Sequence, residues 1–340
     1  MWDFFSLNPE SLHQVLILMS DRGTPFAYQN MDGFGSHTFS LINKKNERVW
    51  VKFHFKTFQG IKNFTNAQAN EMKGIDLDHA QRELVEAIEK KDFPKWALKI
   101  QVMTGDQAKS FRWNPFDLTK VWPHKDFPLI DVGVMELNEI PENYFRDVEQ
   151  SAFAPAHVVD GIGYSHDKVL QGRLLSYPDA HRYRLGVNFE QIPVNKCPYM
   201  VANYQRDGYM QVGDNGGSDP NYRPNSFDNI VVDENYKEPP MTLESNIADW
   251  YDRNENDDDH YTQPGLLFNK AMNDYDRHNL VANIVGSMKG ISGEKKDLII
   301  NRQLCHFFRA DEKLGTAIAK GLGVDLDKVM KELKHEQIAV

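Results

Sequence analysis

The chain has 340 residues, of which 41% are hydrophobic, enough to bury a large core. Its 49 acidic side chains outnumber its 39 lysines and arginines, and the formal net charge of -10 argues against nonspecific nucleic-acid binding, which needs surplus cations to neutralise phosphates. Only two cysteines are present, so a disulfide framework and a four-thiolate zinc site are excluded.

No stretch of the chain predicts a membrane span or an export signal. The apolar runs fall well short of the roughly 20 residues that cross a bilayer. Residues 1–7 lack both the basic and the apolar region of a secretory leader. We therefore expect a cytoplasmic protein without a membrane partner.

The first 140 residues predict an α+β region with antiparallel strands. Asn8 and Pro9 are residue types that start helices, and an apolar stripe with helical spacing follows them. A helical period also covers residues 77–91. Apolar side chains alternate with polar ones in the predicted strands, which cover residues 39–41, 49–55, 96–103 and 129–137.

Residues 141–256 are rich in proline and glycine and predict a long loop with one helical stretch. If residues 171–186 are helical, four side chains share one face: Arg173, Tyr177, His181 and Arg184. A guanidinium one turn before a phenol favours the phenolate, and a phenolate can hold ferric iron. The alternative is an exposed basic helix with a packed tyrosine, which spacing alone favours.

From residue 263 onward the apolar positions follow a helical period and predict a C-terminal helical domain. Two loops between these regions fail as known motifs. Residues 213–217 lack the Gly-Lys-Ser/Thr of a phosphate-binding loop. Residues 252–260 lack the glycine and the glutamate that a calcium-binding loop requires at fixed positions.

Several long segments resemble monofunctional haem catalases of the small-subunit type, in the order in which that family carries them. Residues 171–186 resemble the family's proximal haem-ligand signature. The other matching segments are residues 2–7, 20–25, 33–39, 52–57, 114–124, 149–153 and 203–208. Each match is several residues long, so chance agreement is negligible.

The resemblance implies an α+β fold with a catalase-like antiparallel β-barrel, incomplete here, a long wrapping loop and a C-terminal helical domain. Residues 1–140 would form the partial barrel with inserted helices. Residues 141–256 would form the wrapping loop with the proximal haem helix, and residues 257–340 the helical domain.

The resemblance also implies haem, bound through Tyr177 as the phenolate ligand of ferric iron. Arg173 would hydrogen-bond that oxygen and keep it ionised, and Arg184 would pair with a haem propionate. The further haem contacts that it implies are His37, Phe153, Val169 and His181.

Many members of the family hold NADPH, and the matching positions imply such a site here. Arg22 and Lys56 would meet its phosphates. Asp32 stands where some members have asparagine, and an acid beside phosphates is expected to weaken binding. The other implied contacts are His13, Ser20, Val121, Trp122, His124 and Gln263.

The implied activity is the disproportionation of hydrogen peroxide to water and oxygen, as an oxidative stress response, by an enzyme that is a homotetramer in the family. No segment of the chain resembles the family's distal histidine and asparagine motifs, which handle the peroxide protons. We therefore expect the 340-residue chain to show little or no catalase activity alone, and we do not expect the tetramer.

Two alternatives stay open. The chain is a non-catalytic fragment that retains the proximal haem residues and NADPH-binding residues, or it is a catalase-related haem enzyme of other chemistry, such as an allene oxide synthase. Residues 263–330 argue against the second alternative, because those relatives typically lack the C-terminal helical domain.

Overall fold

The computed structural model describes residues 1–199, 207–214, 217–220, 222, 224–227, 239–241 and 259–325. Residues 203–206 of one matching segment lie outside this part of the chain. So do residues 252–258 of the acidic loop and the last part of the predicted helical domain, residues 326–340.

One antiparallel sheet organises the first half of the described chain. Its strands are β1 (Gly33–Phe34), β2 (Phe39–Ile42), β3 (Arg48–Thr57), β4 (Lys95–Met103), β5 (Ile130–Glu136) and β6 (Ile162–Gly163). The strand order is β5-β4-β3-β2-β6, and β1 also pairs with β3. The four strands that alternation predicts are thereby confirmed, as β2, β3, β4 and β5.

The central strand β3 buries the face that carries its polar side chains. Trp50, Lys52 and His54 are all buried, and Lys52 lies opposite the buried Gln101 of β4. The other face carries Val51, which is fully buried, and Phe53 and Phe55, which are half-buried. The face with Trp50 therefore places Lys52 and His54 in the interior.

Strand β5 forms an edge of the sheet. All seven of its residues are exposed, including Val132 at 55% and Val134 at 61%. Among the described residues, no strand pairs with its outer side. The sheet is a curled half-barrel with an open edge that bears apolar side chains, which is the kind of edge that invites pairing with another strand.

Ten α-helices flank the sheet and follow it in the described part of the chain. They are α1 (Trp2–Leu7), α2 (Leu12–Met19), α3 (Asn66–Ile75), α4 (His79–Glu89), α5 (Gly105–Ser110), α6 (Lys168–Leu185), α7 (Thr262–Leu266), α8 (Asp274–Met288), α9 (Lys296–Ala310) and α10 (Glu312–Leu322). A search of the described residues finds no helix with the length and apolar character that spanning a membrane requires.

The largest hydrophobic core joins the two ends of the described chain. Helices α1 and α2 contribute Trp2 and Leu16, which pack with apolar side chains of α8, α9 and α10. The Trp2 indole N–H also donates to Ser287 Oγ at 3.0 Å. The first helices are therefore anchored by the C-terminal helices.

Helix α6 confirms the helix that the sequence predicts around residues 171–186. It starts at Asp167, whose carboxylate accepts hydrogen bonds from the backbone N–H groups of Val169 and Leu170. It ends at Gly186, whose φ of 112° suits glycine. Most of its side chains reach the surface, since only Leu170 and His181 are buried.

Candidate functional site

Arg173 and Tyr177 form a pair on one face of α6, as their four-residue spacing predicts. Arg173 Nη2 donates to Tyr177 Oη at 3.1 Å, and the guanidinium carbon lies 4.9 Å from the centre of the phenol ring. Both side chains are half-buried. A hydrogen bond from a permanent cation stabilises negative charge on the phenol oxygen, which is the form that binds iron.

His181 and Arg184 fasten the end of α6 to the segment before it. Arg184 donates to the backbone oxygens of Glu149 and Ser151 at 2.9 and 2.8 Å, and to His181 Nδ1 at 3.1 Å. Because a guanidinium cannot accept, His181 Nδ1 is the acceptor. Its Nε2–H therefore donates to the backbone oxygen of Phe153 at 2.9 Å.

Beneath the start of α6 lies a buried pair, His37 and Asp167. Their side chains meet at 2.6 Å, from His37 Nδ1 to Asp167 Oδ2, and are 4% and 2% exposed. Asp167 is also the residue that caps α6, through its other oxygen. Sequence reasoning nominated His37 but missed Asp167, although a helix-capping acid directly before the helix was the available signal.

Two apolar side chains from the implied haem set are exposed near this helix. Val169 shares the face of Arg173 and Tyr177 and is 51% exposed. Phe153, whose backbone oxygen His181 binds, is 82% exposed. The Tyr177 face thus combines one anchored oxygen with apolar side chains that are open to solvent, which suits a flat apolar ligand with a metal centre.

A second site is a cavity of about 720 Å³ between α2, the sheet and the segment at residues 118–124. This volume is in the range of small-molecule and cofactor sites. Six of the nine residues of the implied NADPH set line it: His13, Arg22, Asp32, Val121, Trp122 and His124.

The other three residues of that set support the walls of the cavity. Ser20 Oγ accepts from the backbone N–H of Arg22 at 3.3 Å. Gln263 exchanges two hydrogen bonds with the backbone of Val121, each at 2.9 Å. Lys56 Nζ donates to Asp32 Oδ2 at 2.7 Å.

Asp32 brings the two expected phosphate-binding cations together at the cavity. Besides Lys56 it faces Arg22 Nη2 at 4.0 Å, and it accepts from the backbone N–H of Thr57 at 3.0 Å. The carboxylate therefore offsets part of the positive charge that a phosphate would meet.

Three histidines of the cavity are held away from protonation. Burial lowers the pKa of His13, and the nearby Lys120 lowers it further. Burial likewise lowers the pKa of His54 and of His124, with Lys56 contributing in both cases. Neutral imidazoles can both donate and accept hydrogen bonds at neutral pH.

His54 was missed by sequence reasoning, and a hydrogen-bond network fixes its tautomer. The Gln101 amide donates to the backbone oxygens of Trp122 and Phe127, at 3.1 and 2.6 Å. Its Oε1 must then accept, so His54 Nε2 carries the proton that joins them at 2.9 Å. The buried His54 Nδ1 is left as an acceptor, without a hydrogen-bond partner among the described residues.

A metal cluster of the usual kind is not found in the parts of the chain that the structure describes: no group of three or more His, Cys, Asp or Glu side chains converges. The metal ligand that the sequence predicts is Tyr177, and a single protein ligand is compatible with haem iron, which is also held by its macrocycle.

Comparison with known proteins gives one consistent result. A family model described as "Catalase" matches residues 1–229, and a second one, "Catalase-related immune-responsive", matches residues 254–322. A catalase from the Onchocerca volvulus endobacterium is 53% identical over 328 residues, covering 96% of this chain and 67% of that protein. A catalase of Methanosarcina barkeri is 51% identical and covers 96% and 64%.

Solved structures agree. A bacterial catalase superposes with a TM-score of 0.83 at 39% identity, covering 94% of this chain and 65% of its own. Catalase A from Saccharomyces cerevisiae superposes with a TM-score of 0.79 at 40% identity, covering 94% and 66%. The chain thus spans about two thirds of the length of the relatives it matches.

Proposed function

This chain belongs to the catalase family, and we propose that its α6 face binds haem through Tyr177, as part of an enzyme that disproportionates hydrogen peroxide to water and oxygen. The observation that carries the proposal is the hydrogen bond of 3.1 Å from Arg173 to the Tyr177 oxygen, on a face that is open to a ligand. When bound, haem supplies the redox chemistry on peroxide.

The residues around Tyr177 fit this group by the chemistry of their donors. Arg173 stabilises an anionic phenol oxygen, which suits a ferric centre. Arg184 uses three donor contacts inside the protein and, with five N–H groups in all, retains donors for a propionate. Val169 and Phe153 offer apolar contacts to the macrocycle.

The buried pair beneath α6 has a positioning role in this proposal. Asp167 caps the helix and binds His37, so the turn that leads to Arg173 is fixed to the sheet side of the molecule. His181 holds the other end through Phe153. The phenol oxygen is thereby presented from a helix that is anchored at both ends.

Haem titration of the 340-residue chain tests the proposal. We expect one haem per chain with the absorption and electron paramagnetic resonance spectrum of a ferric centre bound by tyrosinate, and loss of that spectrum in Tyr177→Phe. Tyr183→Phe is the matched control, because Tyr183 is on the same helix and 79% exposed. An unchanged spectrum in Tyr177→Phe would refute the assignment of the ligand.

A second candidate function is haem binding without turnover of peroxide. It is supported by the hydrogen bonds of the two histidines at this site, which already have protein partners. His37 binds Asp167, and His181 binds Phe153 and Arg184. Oxygen release from hydrogen peroxide by the haem-loaded chain separates the two functions. Rapid release supports the enzyme, and a tyrosinate spectrum without release supports the binding protein.

We further propose that the cavity beside β3 binds NADPH, with Arg22 and Lys56 at the phosphates and Trp122 and His124 along the ligand. Support comes from the cavity's volume and from the six expected residues that line it. Fluorescence titration with NADPH is the test. Arg22→Gln should weaken binding at least tenfold, whereas Arg82→Gln, on α4 and paired with Asp76, should not.

A further inference from the structure

Two lysines line the cavity, Lys52 and Lys120, and a third, Lys56, binds the lining residue Asp32. Lys56 is partly exposed and pairs with Asp32 at 2.7 Å. Lys120 is buried but surrounded by partners, including Asp117 Oδ2 at 3.4 Å, Thr119 Oγ1 at 3.1 Å and His260 Nδ1 at 3.3 Å. Lys52 is also buried, at 6% exposure, and lacks such a set of partners.

The amine of Lys52 is poorly compensated for a buried cation. Its Nζ donates to the backbone oxygen of Lys120 at 3.2 Å and lies 5.3 Å from the centre of the Trp122 ring. It forms no ion pair with any residue in the described ranges. A lysine in such surroundings loses its proton readily and then carries a nucleophilic lone pair.

Burial favours the neutral amine, and it outweighs the opposing effect of two nearby acids. Burial lowers the pKa of Lys52 to about 8, although Asp167 and Asp117 act to raise it. His54, the titratable neighbour on the same strand, is itself kept neutral by burial. At pH 7 a group with this pKa is about one-tenth neutral, whereas an ordinary lysine is neutral in roughly one molecule in 2,500.

We propose that Lys52 is a covalent capture site for a small aldehyde, which enters the cavity and forms a Schiff base with the amine. The Nζ lone pair forms a bond to the carbonyl carbon, and the proton that the nitrogen then loses passes to the carbonyl oxygen to give a carbinolamine. The hydroxyl then leaves as water while the C=N bond forms, so amine and aldehyde give imine and water without an oxidant or a reductant.

The surroundings of Lys52 suit a product that keeps a positive charge. The protonated imine remains cationic and faces the Trp122 ring, where a cation–π contact stabilises it. The cavity admits a small carbonyl compound, because Lys52 itself is one of its lining residues.

Competition between lysines of one molecule tests the proposal without relying on a variant that folds. The full chain is treated with acetaldehyde and cyanoborohydride, in the absence of nucleotide, and ethylation of each lysine is followed by peptide mass spectrometry. At pH 7 we expect Lys52 to react at least tenfold faster than the exposed Lys90. The advantage should shrink as the pH approaches 10 and vanish in urea.

Lys120 is the matched control, since it is buried in the same cavity but has several partners. Lys120 should react more slowly than Lys52 at pH 7. If Lys52 reacts no faster than Lys90 or Lys120, whether because its amine stays charged or because aldehyde does not reach it, the proposal is wrong. In Lys52→Arg the fast-reacting peptide should disappear while the other lysines keep their rates.

Discussion

The α6 face and the cavity beside β3 handle charged groups in opposite ways. On the α6 face, Arg173 donates to the oxygen of a half-buried phenol at 3.1 Å, so a permanent cation lies beside the proposed ligand oxygen. In the cavity, burial pushes Lys52 and His13 toward their neutral forms. The difference teaches that a cation at an exposed face can stabilise negative charge on a neighbouring oxygen, whereas burial in the cavity favours neutral amines and imidazoles that keep their lone pairs.

Asp167 contributes to both regions. It caps the helix that carries Tyr177, and its charge is felt by Lys52. Its partner His37 precedes β2, in the segment that leads into the sheet. A change at Asp167 therefore affects the exposed face through the helix cap and the cavity through electrostatics.

The largest effect on this comparison is expected from Asp167→Ala. The change removes the acceptor for two backbone N–H groups and leaves the buried His37 without its partner. We expect the free energy of unfolding to fall by about 3 kcal/mol. Urea unfolding followed by circular dichroism measures it.

Asp179→Ala on the same helix is the control for that substitution, because Asp179 is exposed. It should change the unfolding free energy by less than about 0.5 kcal/mol. Equal losses in the two variants would mean that the buried pair does not anchor α6.

The second effect is the burial penalty of Lys52. Its pKa of about 8 in the folded chain lies below the ordinary lysine value, so between about pH 8 and 10.5 the unfolded chain binds more protons and the stability of the wild type rises with pH. Lys52→Met removes this dependence. The variant should be more stable at pH 7, by on the order of 2 kcal/mol.

Urea unfolding at pH 7 and at pH 10 checks this expectation, and the advantage of Lys52→Met should be mostly gone at the higher pH. Lys90→Met is the control, since Lys90 lies on the surface and pairs with Glu86. A variant that is less stable than the wild type at pH 7 would show that the Trp122 contact outweighs the cost of burial.

The third effect concerns Asp32, the acid that lies beside Arg22 and Lys56 at the cavity. Asp32→Asn would release Lys56 and Arg22 from their shared acid and leave an acceptor for Thr57. We expect NADPH to bind about tenfold more tightly, or roughly 1.4 kcal/mol. NADH, which lacks the 2′-phosphate, should gain less, and weaker NADPH binding in the variant would mean that the acid assists the ligand.

Local sequence patterns were sufficient for the α6 face, because i, i+4 spacing alone puts Arg173 beside Tyr177. They were insufficient for the cavity. Alternation along β3 defines two faces but does not say how deeply each is buried, and the polar side chains Lys52 and His54 are buried. That outcome depends on β4 and on the segment with Trp122, which are distant in sequence.

The same limit applies to the pair of His37 and Asp167, whose partners are 130 residues apart. Local signals were also overlooked. Helices α3 and α5 each begin with a capping box, at Thr65 with Gln68 and at Thr104 with Gln107. Both helices are poor in large apolar side chains, so the apolar periodicity that predicted α4 was missing there.

The smallest effect is expected from His13 in the cavity, and it is a change in how stability depends on pH. Burial lowers the pKa of His13 below that of the unfolded chain, so stability is complete at neutral pH and is lost as the pH falls below about 6.5. His13→Gln should therefore reduce the loss of Tm between pH 7.5 and pH 5, by about 2 °C. His278→Gln, at an exposed position on α8, is the control and should leave the loss unchanged. An acid sensitivity that is the same in His13→Gln as in the wild type would mean that the cavity does not hold this imidazole neutral.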